Sequence, residues 1–160
     1  MCAAMSNVLR ELQDMPYRVF IVEDDVELRT VLERVLRAVH SKVQIDWATS
    51  AEGAADLLEN RSALSSGSPF DLIVADIFLE GVATGLDFWK LCKITFPEIP
   101  LVVTSSMSYE KFYKTIGKGA VAPPFLAKPF SVKQCRQMLE RLNDYGIGAY
   151  AGNAGRHLMM

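Results

Sequence analysis

Acidic side chains directly follow two apolar runs of this sequence, and a lysine follows a third. Glu23 and Asp24 come after the first run, Asp76 ends the second and Lys128 follows the third. If these runs are parallel strands of one sheet, their carboxyl ends meet at one edge. Three carboxylates at one place repel each other unless a cation is bound. Ligands that are all oxygen atoms favour a hard ion, so we expect Mg²⁺ at Glu23, Asp24 and Asp76.

A plainer role for some of these acids is to cap a helix. Asp24 or Asp25 alone fits the N-cap of a helix that follows the first strand. A third carboxylate on another run, with Lys128 opposite, fits a binding site better. Asp76 is also a candidate nucleophile, because a metal ion and a lysine can neutralise the charge of a phosphoryl group that it attacks.

The runs that position these groups alternate with helical patterns. Apolar residues recur at helical spacing from Leu28 to Val39, and further helices are predicted after Thr49, over 85–95, over 109–116 and after Ser131. Capping boxes are predicted for Thr49 with Glu52 and for Ser131 with Gln134. Strands are predicted over residues 18–22, 43–47, 70–75, 100–104 and 125–127, and a Ser- and Gly-rich loop over 62–69. This alternation indicates an α/β fold, a doubly wound five-stranded parallel sheet with helices on both faces.

Length and composition limit the classes of function. A chain of 160 residues fits one domain. The net charge of −2 provides no overall basic field for nucleic acid. No apolar run approaches the ~20 residues of a membrane span, and no signal peptide is evident, so we expect a cytoplasmic protein without membrane contact. Cys92 and Cys135 are expected to be buried packing residues.

Both ends of the sequence lie outside the alternating pattern. Residues 1–15 are predicted to be an N-terminal extension, and residues 145–160, with several glycines, a flexible C-terminal tail. The tail is too short for a further domain of ordinary size, so the sequence predicts a domain that stands alone.

Four segments, VFIVEDD, DLIVADIFLEG, PLVVTSS and LAKPF, occur in this order. Together they resemble the receiver domain of two-component response regulators over residues 16–144. The resemblance implies a flavodoxin-like sheet with strand order 2-1-3-4-5. It also implies that a sensor histidine kinase or a histidine phosphotransfer protein supplies a phosphoryl group, and that the protein catalyses only its own phosphorylation and dephosphorylation.

The same resemblance assigns roles to individual positions. Glu23 and Asp24 would be the acidic pair that holds Mg²⁺, with Asp24 as the more direct ligand. Asp76 would be the phosphoryl acceptor, and the backbone carbonyl of Phe78 would be a further metal ligand. Lys128 would contact the acyl phosphate, and it is followed by Pro129, where the family usually has a cis peptide bond. Phe125 would occupy the aromatic switch position.

The hydroxyl that accompanies the switch is not fixed by the sequence. Counting forward from Gly85 and Pro100 selects Ser105, counting back from Gly119 selects Thr104, and counting back from Lys128 selects Ser106. We expect Ser105, with Thr104 second. Two departures from the family pattern lie beside Asp76: Glu80 replaces a usual proline, and the loop 81–84 is one residue longer than usual.

The output surface is predicted on the fourth helix and fifth strand. Large apolar groups form one helical stripe, made of Tyr109, Phe112, Tyr113 and Ile116. With Phe125 this stripe is expected to bind a downstream protein or a second copy of the chain, and the alternative is that it simply packs on the sheet.

Three other functions are compatible with part of this pattern. A flavin protein would share the order of strands and helices, but acids after the first strand repel its phosphate. A phosphohydrolase using an aspartyl phosphate remains an alternative, although it would usually carry an acid in place of Phe78. A degenerate receiver, acting as an interaction module without phosphorylation, is the third.

Overall fold

The computed structural model describes residues 15–79 and 81–145. In this part of the chain, five strands alternate with five helices. They are β1 (Tyr17–Val22), α1 (Val26–Val39), β2 (Val43–Ala48), α2 (Ala51–Leu64), β3 (Leu72–Asp76), α3 (Gly85–Thr95), β4 (Leu101–Ser105), α4 (Tyr109–Ile116), β5 (Phe125–Ala127) and α5 (Val132–Tyr145). The predicted alternation is confirmed. The predicted extension and tail fall almost entirely on residues 1–14 and 146–160, outside the described residues.

The five strands form one parallel sheet in the order β2-β1-β3-β4-β5, as predicted. The order of connection reverses between β1 and β3, which lie side by side in the middle of the sheet. In open sheets of this kind, ligands bind at the carboxyl ends of the strands at such a reversal. The acids after β1 and at the end of β3 therefore lie where a site is expected.

Side chains alternate between two cores, one on each face of the sheet. Val19 and Ile21 of β1 pack under α1 and α5, whereas Phe20 and Val22 pack under α2, α3 and α4. The prediction of helices on both faces is confirmed. Cys92 lies in one core and Cys135 in the other, and burial raises the pKa of their thiols to about 12 and about 11. Both cysteines are packing residues, as expected.

Two helix starts show what a local sequence pattern can and cannot predict. Ser131 and Gln134 form the predicted capping box, in which each backbone N–H donates to the other side chain, at 2.8 and 3.2 Å. The capping box of Thr49 and Glu52 is wrong, because Ser50 is the cap and its Oγ accepts from the Gly53 N–H at 3.1 Å.

The helix before the predicted 62–69 loop is longer than expected, since α2 continues to Leu64. The strands differ from their predicted bounds only at their ends. None of the helices in the described ranges is long and apolar enough to cross a bilayer.

Candidate functional site

Three carboxylates meet at the carboxyl edge of the sheet. Glu23 and Asp76 are 1% and 5% exposed, and Asp24 is half-buried. One oxygen of each side chain lies within 4.8 Å of the oxygens of the other two. The structure thus brings together the three side chains that the sequence predicts as metal ligands.

Lys128 joins two of these acids from the other side of the site. Its Nζ donates to Glu23 Oε2 at 2.8 Å and to Asp76 Oδ2 at 2.6 Å. Burial alone lowers the pKa of the amine, but the hydrogen bonds and charges of Asp76 and Glu23 outweigh that effect and raise it. Burial also raises the pKa of Glu23 above its ordinary value, although Lys128 opposes the shift.

The charges of this site are not balanced by its own side chains. One lysine faces three acids, two of which are buried, so a cation would relieve the remaining repulsion. Carboxylate oxygens are the ligands that Mg²⁺ prefers, and in proteins it is usually bound through one or two carboxylates together with water. The donor set therefore fits Mg²⁺.

The acceptor candidate Asp76 has a different partner for each carboxylate oxygen. Oδ2 accepts from Lys128, and Oδ1 accepts from the backbone N–H of Phe78 at 3.1 Å. Phe78 thus begins a turn against Asp76, with its own side chain 53% exposed. Lys128 is followed by a cis peptide bond to Pro129, as the family resemblance implies.

Gly85 supports this turn and was not identified from the sequence as a functional position. A Cβ at residue 85 would lie 1.8 Å from the backbone oxygen of Asp76. The Gly85 N–H also donates to the Ile77 oxygen at 3.0 Å. The start of α3 therefore passes directly against the end of β3. A glycine at the first helical position after a loop is the signal that could have indicated this contact.

Strand pairing separates the three candidate hydroxyls. Thr104 is paired with Asp76 and extends from the same face of the sheet, and its buried Oγ1 has no hydrogen-bond partner in the described part of the chain. Ser105 is buried on the opposite face, which it shares with Val103 and Phe125, and its Oγ accepts from the Met107 N–H at 3.0 Å. Ser106 is exposed and lines an open cleft of about 430 Å³ beside Lys128.

Phe125 lies under α4 within a cluster of aromatic rings. Its ring is 5.1 Å from the ring of Phe112 and 5.6 Å from the ring of Tyr109, measured between centroids. Phe112 is fully buried, whereas Tyr113 remains exposed. The predicted stripe is therefore divided, with Phe112 in the core, Tyr109 and Ile116 half-buried against it and Tyr113 exposed.

Of the two departures beside Asp76, Glu80 lies outside the described residues. The loop that follows it includes Gly81, with φ +130°, and Val82, which is 98% exposed. The backbone N–H groups of Val82 and Ala83 donate to Glu52 of α2.

Comparison with known proteins identifies a family. The model of the response regulator receiver domain matches residues 19–140. The chain is 27% identical over 125 residues to the response regulator RppA of Synechocystis, covering 78% of this chain and 50% of that protein. It is 31% identical over 124 residues to the DNA-binding transcriptional regulator NtrC of Escherichia coli, covering 77% of this chain and 24% of that protein. The chain thus spans half or less of these two relatives.

Solved structures share the fold. The chemotaxis response regulator CheY4 of Vibrio cholerae has a TM-score of 0.61 at 20% identity, over 80% of this chain and 99% of that one. The non-phosphorylated HemR receiver domain of Leptospira biflexa has a TM-score of 0.61 at 25% identity, over 80% and 94%.

Proposed function

The chain belongs to the response regulator receiver domain family, and from this premise we propose that Asp76 accepts a phosphoryl group from a sensor histidine kinase or a histidine phosphotransfer protein. Receiver domains are signalling modules rather than enzymes that turn over an external substrate. In this proposal the protein acts in the cytoplasm and catalyses only its own phosphorylation and dephosphorylation.

The observation that carries the proposal is the pair of contacts made by Lys128. The amine is bound to Asp76 Oδ2 and Glu23 Oε2, so a fixed positive charge lies beside the carboxylate that would be phosphorylated. Phosphoryl transfer needs positioning and neutralised charge more than covalent catalysis. In the proposed reaction an oxygen of Asp76 forms a bond to phosphorus while the bond from phosphorus to the donor's imidazole nitrogen breaks. Lys128 then contacts the transferred group instead of the free carboxylate.

Mg²⁺ is the cofactor in this proposal. Glu23, Asp24, Asp76 and the backbone carbonyl of Phe78 would hold it, and the bound ion would supply positive charge to the phosphoryl oxygens. The close approach of the three carboxylates supports this assignment.

The proposed response begins at Ser105. Its hydroxyl lies on the face of β4 that also carries Val103, the residue paired with Phe125. We assign Ser105 rather than Thr104 as the switch hydroxyl, because only Ser105 shares a face with the aromatic side chain that must follow it. Movement of Ser105 toward the phosphoryl group would release Met107 and allow Phe125 to turn inward. The surface of α4 and β5 would then bind a downstream protein or a second copy of the chain.

Incubation with acetyl phosphate and Mg²⁺ tests the central proposal. We expect one phosphoryl group per chain by intact mass, mapped to Asp76, and none in Asp76→Asn. The matched control is Asp71→Asn, which changes an acid before the start of the same strand and should leave labelling intact.

Two outcomes would contradict this assignment. Label that persists in Asp76→Asn would place the acceptor elsewhere, and a wild-type protein that takes no label would favour a degenerate receiver. Continued release of phosphate from an added phosphate ester would instead indicate a phosphohydrolase.

A further inference from the structure

The loop between β3 and α3 is held by a side chain from α2. Glu52 Oε1 accepts hydrogen bonds from two successive backbone N–H groups, those of Val82 at 2.9 Å and Ala83 at 2.8 Å. These residues are 30 and 31 positions away in the sequence. We call this contact the Glu52 latch. The bonds from Ala83 and Val82 help to hold the pKa of Glu52 below its ordinary value, so the carboxylate is ionised at neutral pH.

The backbone of the loop is shaped around this carboxylate. Gly81 has φ +130°, a conformation that favours glycine. A Cβ at that position would also lie 2.6 Å from Glu52 Oε2. Both oxygens of the carboxylate are therefore against the loop, one bound to N–H groups and the other beside a residue that cannot easily carry a side chain.

The two ends of the same loop are fixed to the acceptor strand and to α3. At the first end, the Phe78 N–H donates to Asp76 Oδ1. At the second end, Thr84 and Asp87 form a reciprocal capping box, and Gly85 packs on the backbone of Asp76. The Glu52 latch is thus a third attachment point, located between the two ends and supplied by a different helix.

We propose that Glu52 is a positioning residue for the phosphorylation site, which through Val82 and Ala83 holds the β3–α3 loop where the backbone of Phe78 meets Asp76. The inference deepens the proposed function and rests on it, because the loop matters to the site only if Phe78 and Asp76 bind the metal ion. Glu52 itself is not part of the cluster formed by Glu23, Asp24 and Asp76.

The test combines amide hydrogen exchange with Mg²⁺ calorimetry on the full chain. In Glu52→Ala we expect the Val82 and Ala83 amides to exchange at least several-fold faster. Mg²⁺ should bind about tenfold more weakly, the lower end of the range for groups that orient metal ligands. Glu59→Ala, which removes an exposed glutamate from the same helix, should change neither measurement.

A second variant separates hydrogen bonding from charge. Glu52→Gln keeps an oxygen that can accept from the two amides but removes the negative charge. If the latch positions the loop, Glu52→Gln retains most of the Mg²⁺ affinity and most of the amide protection. If Glu52→Gln binds Mg²⁺ as weakly as Glu52→Ala does, the charge acts at a distance and the positioning role is refuted.

The remaining outcomes distinguish this inference from the function on which it rests. Wild-type affinity for Mg²⁺ in Glu52→Ala, with fast exchange at Val82 and Ala83, overturns the coupling while leaving the metal site in place. Unchanged exchange in Glu52→Ala overturns the latch itself. A wild-type protein that binds no Mg²⁺ overturns the proposed function, and the coupling with it.

Discussion

Lys128 is the residue on which the charge balance of the site depends. It donates to two carboxylates that are almost fully buried. Removing one partner of a buried ion pair leaves an uncompensated charge and is strongly destabilising. A Lys128 variant would therefore combine loss of function with loss of stability, and Asp24, which is only half-buried, is the better residue with which to test the metal site.

Asp24→Asn is expected to weaken Mg²⁺ binding about tenfold, because an amide oxygen replaces a charged ligand in the cluster. Stability without Mg²⁺ should stay the same or rise slightly, since one of three mutually repelling charges is removed. Isothermal titration calorimetry measures the affinity. Asp25→Asn is the matched control, because Asp25 caps α1 and asparagine caps a helix equally well. Equal Mg²⁺ affinity in the two variants would remove Asp24 from the site.

The sequence shows which residue types could form the site, but not which residues of neighbouring strands lie opposite each other. The acids after β1 and β3 could be placed together because they follow strands. Ser105 was expected ahead of Thr104, but counting from different landmarks selects Thr104, Ser105 or Ser106, so the sequence alone does not fix the choice. Only the register, with Asp76 opposite Thr104 and Val103 opposite Phe125, shows which hydroxyl lies on which face.

At the scale of elements, the approach of α3 to β3 is as important as the strands themselves. Gly85 lies at the first position of α3, where alanine would ordinarily favour the helix by up to ~1 kcal/mol. Here the added Cβ would meet the backbone of Asp76 at 1.8 Å, and backbone cannot move aside as a flexible side chain can. Helix propensity thus predicts that alanine at this position stabilises the protein, whereas packing predicts that it destabilises the protein. The close contact is the larger effect.

Gly85→Ala is expected to destabilise the protein by about 2 kcal/mol, within the range for overpacked sites. It should also weaken Mg²⁺ binding, since α3 must retreat from Asp76. Urea unfolding followed by far-ultraviolet circular dichroism measures the first effect. Gly67→Ala is the control, because nothing lies within 4 Å of the added Cβ, and a change below ~0.5 kcal/mol is expected there. Gly85→Ala at wild-type stability would refute the close approach.

The helices show why local patterns succeed in one case and fail in another. The cap formed by Ser131 and Gln134 depends only on residues three apart, and it was predicted. Glu52 also lies three residues after a hydroxyl, Thr49, but its carboxylate binds Val82 and Ala83 instead. A contact between residues 30 positions apart leaves no trace in a local pattern, so the sequence could not predict the Glu52 latch.

At the scale of the whole molecule, the sheet connects the acidic site to the surface of α4. The path starts at Asp76 on β3, continues to β4, where Ser105 holds the Met107 N–H, and reaches Phe125 on β5. Phe125 is packed against Phe112 and Tyr109 of α4. The fold and strand order could be predicted because alternating strands and helices permit few arrangements. The aromatic packing under α4 could not, because a helical stripe alone does not show which of its members are buried.

The path from Asp76 through Ser105 to Phe125 can be tested with a phosphoryl mimic. Beryllofluoride, which mimics the phosphoryl group on an aspartate, is expected to shift the amide resonances of residues 109–125 as well as those around Asp76 when Mg²⁺ is present. The physical reason is that Ser105, whose oxygen accepts from the Met107 N–H, is expected to move toward the added group, which would leave space for Phe125 to move away from Tyr109. Asp76→Asn should show none of these shifts.

Two variants, each of which removes one hydroxyl, test whether Ser105 couples the Asp76 site to α4. Ser105→Ala should confine the shifts to the Asp76 pocket, because the group that draws β4 toward the phosphoryl mimic is missing. Thr104→Val removes a buried hydroxyl that has no partner in the described residues, so it should bind beryllofluoride and keep the shifts over 109–125. If the shifts over 109–125 persist in Ser105→Ala and are lost in Thr104→Val, Thr104 is the switch hydroxyl. If the wild-type protein shows no shifts over 109–125, phosphorylation does not affect the surface of α4 and β5. The pairing of Val103 with Phe125 favours Ser105. Ser105, Val103 and the Phe125 ring lie on the same face of the sheet, so a movement of Ser105 acts directly on that ring.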